Sequence, residues 1–406
     1  MYINLKFAGR RVIFAGMVIA FLFALPRIDH AQSQAELAKA QESLSAGNAL
    51  LQKGEPEEAA VKFGEVIAIL PSLAIGYVNR GLAYSSAGKY AEAIADADKA
   101  IVLAKQGPDA DLYAALAYQV KALVYQDQGN HKLAIEAYSA SIELAPTNLR
   151  FLNGRGLSYM RLGQYDLAIK DLSRAIELDP TLSQPYINRA LAYRAIKDCD
   201  AAIRDTTEAI KLAPSGILSY VNRANCYLDL KRYDEAIADL TKAITIEPKP
   251  DLYYNRALVY FNQGDYENSI ADNTEAIRRD AKYDKAYFNR AIAYQRIRKY
   301  QLAIADFRKS LSLNEKSPSR RYNLASALFE AGQYSESIKE ASALMSMFPK
   351  WRAPVALRAN AYGRIGDSQR MKSDAALANK LDAAWKPDEE GFFIVETIYD
   401  LPAEIK

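Results

Sequence analysis

Tyr186-Ile-Asn-Arg-Ala-Leu-Ala-Tyr193 recurs as Tyr220-Val-Asn-Arg-Ala-Asn-Cys-Tyr227 and again as Tyr287-Phe-Asn-Arg-Ala-Ile-Ala-Tyr294. Pro146, Pro180, Pro214 and Pro248 punctuate the same stretch at intervals of 34 residues. With the leading tyrosine numbered as place 4 of a block, a small residue stands at place 8 ten times: Gly47, Gly81, Ala122, Gly156, Ala190, Ala224, Ala257, Ala291, Ala325 and Ala359. The intervals are 33 or 34 residues except for the 41 between Gly81 and Ala122, which marks an insertion of seven around Lys105–Asp111. A fixed period of this length is the mark of a repeat array.

Within each block, apolar residues recur at three- and four-residue spacing over two stretches of about a dozen residues, with a turn between them that carries glycine or a basic residue. That pattern predicts two antiparallel helices, and the small residue at place 8 lets their backbones approach. One hairpin cannot bury its apolar face, so neighbours must stack. With an aromatic at places 4 and 11, small residues at 8 and 20 and proline at 32, the chain resembles the tetratricopeptide repeat family, in its secreted or membrane-anchored bacterial form, from about Ala35 to Leu381. The resemblance implies an all-α fold, a right-handed α-solenoid of about ten helix-turn-helix repeats over residues 34–381.

The repeat accounts for most of the unusual composition. Of 27 tyrosines, 20 fall at places 4, 11 and 17, so their excess reads as packing. His131 stands at place 17, where Tyr90 and Tyr165 stand in neighbouring blocks, and is expected to pack too. Arginine at place 7 precedes an aspartate by 16 residues seven times, as Arg80/Asp96, Arg155/Asp171, Arg189/Asp205, Arg223/Asp239, Arg256/Asp272, Arg290/Asp306 and Arg358/Asp374. This spacing predicts an ion pair between the two helices of a hairpin. The block with Lys121 has Ala137 at the aspartate's place, and the block with Leu324 has Glu340.

In the family the first helix of each hairpin lines a concave groove, with place 6 facing inward. Place 6 here is Asn79, Asn188, Asn222, Asn255, Asn289 and Asn323. Asparagine amides both donate and accept, so a ladder of them suits the backbone of an extended peptide. Such a ladder resembles that of the O-linked N-acetylglucosamine transferase groove, although no catalytic domain accompanies it. Tyr254, Phe288 and Tyr322 at place 5 are the expected apolar anchors, with Leu228, Phe261 and Phe329 at place 12 and Arg161, Arg194, Arg296 and Arg364 at the rim. The alternative is that the asparagines bridge neighbouring helices. The carboxylate clamp of heat-shock co-chaperones needs lysine at place 5, where this chain has Val78, Ile187, Val221, Tyr254 and Phe288.

Outside the repeats, Lys6, Arg10 and Arg11 precede an uncharged run from Val12 to Leu25 and the small residues of Ala31-Gln32-Ser33, the layout of a secretory signal peptide over residues 1–33. Fourteen residues are short for a membrane span, which needs roughly 17–25. An uncleaved anchor at residues 12–25 and a buried N-terminal helix are the alternatives. The expected location is thus outside the cytoplasm, in the periplasm or on a membrane. The leader has four basic residues and one acidic, which leaves 48 of each elsewhere and no electrostatic case for nucleic acid. Cys199 and Cys226 can pair in an oxidising compartment or stay as buried thiols. Residues 382–406, with the apolar Phe392-Phe-Ile-Val-Glu-Thr-Ile-Tyr399, are expected to cap the last hairpin or to bind a partner or the chain itself. No phosphate loop, serine elbow or metal-ligand spacing is present, and no cofactor is expected. The reading that results is a non-catalytic envelope scaffold for protein or peptide partners. Its alternative is a self-associating organiser that uses the convex face or the tail.

Overall fold

The computed structural model describes residues 34–104, 109–382 and Pro387, so the leader and the tail beyond Pro387 lie outside the described residues. Twenty α-helices and no strands are found there. The first helices of the ten blocks are α1 (Gln34–Lys53), α3 (Ala74–Ser86), α5 (Ala110–Asp127), α7 (Leu149–Arg161), α9 (Ser183–Ala195), α11 (Ile217–Asp229), α13 (Pro250–Gln263), α15 (Asp284–Arg296), α17 (Pro318–Glu330) and α19 (Arg352–Arg364). Their second helices are α2 (Pro56–Ile69), α4 (Tyr90–Ala104), α6 (His131–Leu144), α8 (Tyr165–Leu178), α10 (Cys199–Leu212), α12 (Tyr233–Ile246), α14 (Tyr266–Arg279), α16 (Tyr300–Leu313), α18 (Tyr334–Met347) and α20 (Ser368–Lys380). The fold is an α-solenoid of helical hairpins. The insertion lengthens α5 to 18 residues, against 13 or 14 for most first helices, by starting it five residues ahead of place 1 at Ala115.

The sequence sets where each helix stops. At place 15, between first and second helix, all ten blocks have positive φ: Gly54, Gly88, Gly129, Gly163, Gly264, Gly332 and Gly366 at +72° to +89°, and Lys197, Lys231 and Arg298 at +59° to +66°. A side chain in this region is disfavoured by roughly 1–2 kcal/mol, which a glycine avoids at the cost of about 0.4–1 kcal/mol of unfolded-chain entropy. Arg298→Gly is therefore expected to stabilise the α15–α16 hairpin by about 0.5 kcal/mol. An unchanged or lower urea midpoint would show that Arg298 makes a compensating contact. Second helices start at place 17, and Asn130, Asp198, Asp265 and Asp367 cap four of them by accepting a backbone N–H three residues on.

The helices fall into two compact units that divide between Asn222 and Arg223, inside α11. Within the N-terminal unit α7 touches α9, and within the C-terminal unit α13, α15, α17 and α19 touch in succession. No two second helices approach each other comparably among the described residues, so in each unit the first helices lie on the inner side. Small residues pack the hairpin seams: Ala93, Ala168, Ala175, Ala236, Ala257, Ala276, Ala291 and Ala303 have no exposed surface. A Cβ on Gly156 would sit 3.1 Å from Leu172 Cγ, the close approach that place 8 was expected to serve. Cys199 and Cys226 are both buried, and no disulfide joins them.

Candidate functional site on the first helices

All seven expected ion pairs form with the same bidentate geometry. Nε donates to one carboxylate oxygen and Nη2 to the other at 2.7–2.9 Å in Arg80–Asp96, Arg155–Asp171, Arg189–Asp205, Arg223–Asp239, Arg256–Asp272, Arg290–Asp306 and Arg358–Asp374. Of the three remaining blocks, the first has Ala46 and Lys62 at these places, while in the other two Lys121 reaches back to Asp98 at 2.9 Å and Glu340 accepts from Arg321 at 2.6 Å.

The sequence reading missed the third partner. The free Nη1 donates to Ser139, Ser173, Thr241, Thr274 or Ser342 on the preceding second helix, at 2.8–2.9 Å, for Arg155, Arg189, Arg256, Arg290 and Arg358. A hydroxyl at place 25 of the block before each of these arginines was the available signal. The tyrosines at places 4 and 11 flank the same guanidinium, as Tyr253 and Tyr260 do for Arg256 at 5.8 and 6.0 Å. Each of these five arginines thus ties together three helices of two repeats, and the tyrosine excess belongs to this scaffold. Hydrogen bonding to Asp272 is the main cause that raises the Arg256 pKa, so the charge persists throughout the working pH range.

The six place-6 asparagines are all buried, none more than 9% exposed. Their partners differ. In the N-terminal unit Asn188 Nδ2 donates to Asn153 Oδ1 at 2.7 Å while its Oδ1 accepts from Gln184. That is the helix-bridging alternative. In the C-terminal unit Asn323 Nδ2 donates to the Ser319 carbonyl of its own helix at 2.8 Å. Asn255 Nδ2, by contrast, is buried without a hydrogen-bond partner, and Asn289 Nδ2 has only the Tyr254 hydroxyl beside it, outside hydrogen-bond geometry. Asn79 and Asn222 keep the largest exposures of the six. Two unpaired acceptors lie on the same set of helices, Asn225 Oδ1 at place 9 and Gln295 Oε1 at place 12. An unsatisfied buried polar group costs about 1–3 kcal/mol, and four of the six in the C-terminal unit lie on first helices, the other two, Ser269 Oγ and Asn273 Oδ1, on α14.

Tyr254, Phe288 and Tyr322 sit deeper than groove anchors would. Their rings pack on Tyr283, Phe307 and Trp351 at 5.3, 5.7 and 5.1 Å and are nearly covered. Burial pushes the Tyr254 hydroxyl up to about 12, with the neighbouring Asn289 amide pulling the other way. The half-exposed apolar surface on this face belongs instead to Phe261 and Phe329 at place 12. Arg320 braces it from behind, with Nη2 donating to Asp284 at 2.7 Å, Nε to Ser310 and Nη1 to Ser317 at 2.9 Å, and its head over Phe288.

His131 packs at place 17 as expected, with Nδ1 buried and unpaired. Burial first, then Arg161, lowers its pKa below the usual imidazole value. A depressed cation pKa means that the unfolded chain binds the extra proton more readily, so this contribution is intact above about pH 6.5 and is lost as pH falls below it. His131→Tyr is expected to shrink the drop in melting temperature between pH 7.5 and pH 5. An unchanged drop would place the acid sensitivity elsewhere.

Among the described residues no group of three or more His, Cys, Asp or Glu is placed to hold a metal, and no helix is long and apolar enough to cross a membrane. The fold defines a helical-repeat protein built of stacked two-helix hairpins. Models of the tetratricopeptide repeat match residues 72–147, 150–182, 217–250, 250–283 and 284–317, just over half of the chain. The chain belongs to the tetratricopeptide repeat family. It is 34% identical over 109 residues to a Hsp70-Hsp90 organizing protein of Triticum aestivum, a match covering 27% of this chain and 18% of that one. It is 33% identical over 111 residues to a small glutamine-rich tetratricopeptide repeat-containing protein 2 of Saccharomyces cerevisiae, covering 27% and 30%. The chain thus spans less than a third of the length of these curated relatives. A solved tetratricopeptide repeat protein from Parabacteroides merdae is 20% identical, with a TM-score of 0.46 over 63% of this chain and 99% of that one. The family places the chain among scaffolds of protein–protein interaction.

Proposed function

We propose that the chain is a non-catalytic scaffold of the cell envelope that holds extended segments of partner proteins against its first helices. The carrying observation is the set of unpaired amide groups in the C-terminal unit, the Nδ2 donors of Asn255 and Asn289 beside the acceptors of Asn225 and Gln295. An extended backbone supplies a carbonyl and an N–H at every residue, so it offers partners to both kinds of group. Phe261 and Phe329 would take its apolar side chains, in place of the more deeply packed Tyr254, Phe288 and Tyr322. The export-type leader supports the envelope location.

The test compares wild-type residues 34–406 with Asn222→Ala/Asn255→Ala/Asn289→Ala at matched thermal stability, in pull-downs from envelope extract. The expected result is a loss of at least tenfold in captured protein, with wild-type capture competed by synthetic peptides of that protein's own sequence. Equal capture by both chains would retire the amide reading. A self-associating organiser is the second reading, favoured by Leu133, Leu162, Leu167 and Ile196, all 37–45% exposed in the N-terminal unit. Sedimentation of the wild type as a monomer would exclude it.

A further inference from the structure

We propose that the N-terminal unit carries a second docking surface, a leucine strip on α5, α7 and α9, which takes an acidic amphipathic helix of a partner protein. It is separate from the unpaired amides of the C-terminal unit and differs from them in kind. Leu123, Leu157 and Leu191, all at place 9, are half-buried. At the same place in the C-terminal unit Leu258, Ile292 and Ser326 are at most 4% exposed. Leu157 and Leu191 stand one helical turn beyond Asn153 and Asn188, whose amides meet across α7 and α9 at 2.7 Å. Residues three and four apart share a helix face, so these leucines lie on the side where the first helices meet. Leu123 stands likewise, four residues beyond the buried Gln119 of α5.

The strip has a definite end. On α3 the residues at places 2, 5, 6, 9 and 12, namely Ile75, Val78, Asn79, Leu82 and Ser85, are all at most 8% exposed. The insertion closes this helix. Among the described residues α5 packs along α3 more extensively than any other two successive first helices pack together. Tyr113, ahead of place 1, shares one core with Ile75, Val78 and Leu82. On α7 and α9, by contrast, Arg150 and Gln184 at place 2 are exposed.

Hydrogen bonding and charge select the occupant. No fully buried amide on α3, α5, α7 or α9 lacks a partner. Gln126 donates to the Gly154 carbonyl and to Ser158 and accepts from Tyr138, and Asn153 accepts from Asn188. An extended backbone would thus find little here to pair with, whereas a helix has already satisfied its own backbone. From place 1 to place 13 the three helices carry a single acid, Asp127. Besides the ion-paired Lys121, Arg155 and Arg189 they carry Arg150, Arg161 and Arg194, exposed or half-exposed beside the leucines. A positive border favours an acidic partner. Packed helices lie about 8–10 Å apart, and seven residues of α-helix advance about 10.5 Å. Apolar side chains a heptad apart on the partner would therefore meet Leu123, Leu157 and Leu191 in turn.

The test titrates a fluorescent, lactam-stapled helix, with leucines at seven-residue spacing and glutamates flanking them, into the full-length chain. Saturable binding is expected, weakened at least tenfold by Leu157→Asp/Leu191→Asp and by Arg161→Glu/Arg194→Glu with melting unchanged. A probe with lysine for glutamate should bind the Arg161→Glu/Arg194→Glu chain at least tenfold better than the acidic probe does. Asn222→Ala/Asn255→Ala/Asn289→Ala should bind the acidic probe as the wild type does, so failure of the amide reading leaves this result standing. Absence of saturable binding, loss in the asparagine variant, or equal binding of an unstapled probe interrupted by proline would overturn the proposal.

Discussion

Asp272→Ala is expected to destabilise the α13–α14 hairpin by about 3 kcal/mol, the low end of what stranding one member of a buried pair costs. The aspartate is 9% exposed and accepts two bonds from Arg256, at 2.7 and 2.8 Å. Arg256 is itself 17% exposed, so water can reach part of the guanidinium and the upper end of the range does not apply. What remains after the substitution is a cation between two tyrosine rings whose other hydrogen-bond partner among the described residues is Thr241 at 2.9 Å. In a repeat array the loss falls mainly on that hairpin and its neighbours. It should appear as amide exchange faster by on the order of a hundredfold in α13 and α14. Arg256→Leu/Asp272→Leu, which removes both charges, should recover most of the loss. An Asp272→Ala chain with wild-type exchange would mean that the pair fixes geometry without contributing stability.

Gly154→Asn should cost about as much, roughly 3 kcal/mol, although it writes the ladder residue into a block that lacks it. A Cβ at this position would stand 2.6 Å from both Cε1 and Oη of Tyr138. The ring has no room to withdraw, being 2% exposed within the core of the N-terminal unit. Its hydroxyl donates to Gln126 Oε1 at 3.0 Å, while Gln126 Nε2 donates to the Gly154 carbonyl and to Ser158. Forcing Tyr138 aside breaks this buried network as well as overpacking the seam. The better helix propensity of asparagine returns only a few tenths of a kcal/mol. Protection should fall in α6 and α7 and leave the C-terminal unit untouched. In a Tyr138→Ala background, where the clashing ring is gone, Gly154→Asn should add little further loss, and a full additional loss there would refute this account.

The repeat, its hairpins and the seven ion pairs were legible because each depends on residues at fixed spacing within one block or on a short turn. Place 15 shows the same logic in the turn itself: three basic residues adopt the left-handed conformation of the seven glycines because the hairpin on either side demands it. The hydroxyl at place 25 was equally periodic but belongs to the preceding block, so reading one block at a time does not reveal it.

The amide ladder marks where local pattern ceases to decide. Asn188, Asn255, Asn289 and Asn323 stand at one place of the repeat, yet one bridges to Asn153, one turns back on its own helix and two keep unpaired donors. Their neighbours differ in volume and polarity, and only packing fixes which amide finds a partner. The aromatic residues at place 5 make the same point. Their spacing is that of groove anchors, but Tyr283, Phe307 and Trp351 draw the rings into the core. The sequence by itself determined the helical hairpins, their register and the arginine clasp, since these follow from short-range periodicity and turn stereochemistry. Burial on the first helices was decided by the tertiary structure alone, because it depends on which side chains from the next repeat arrive to cover them.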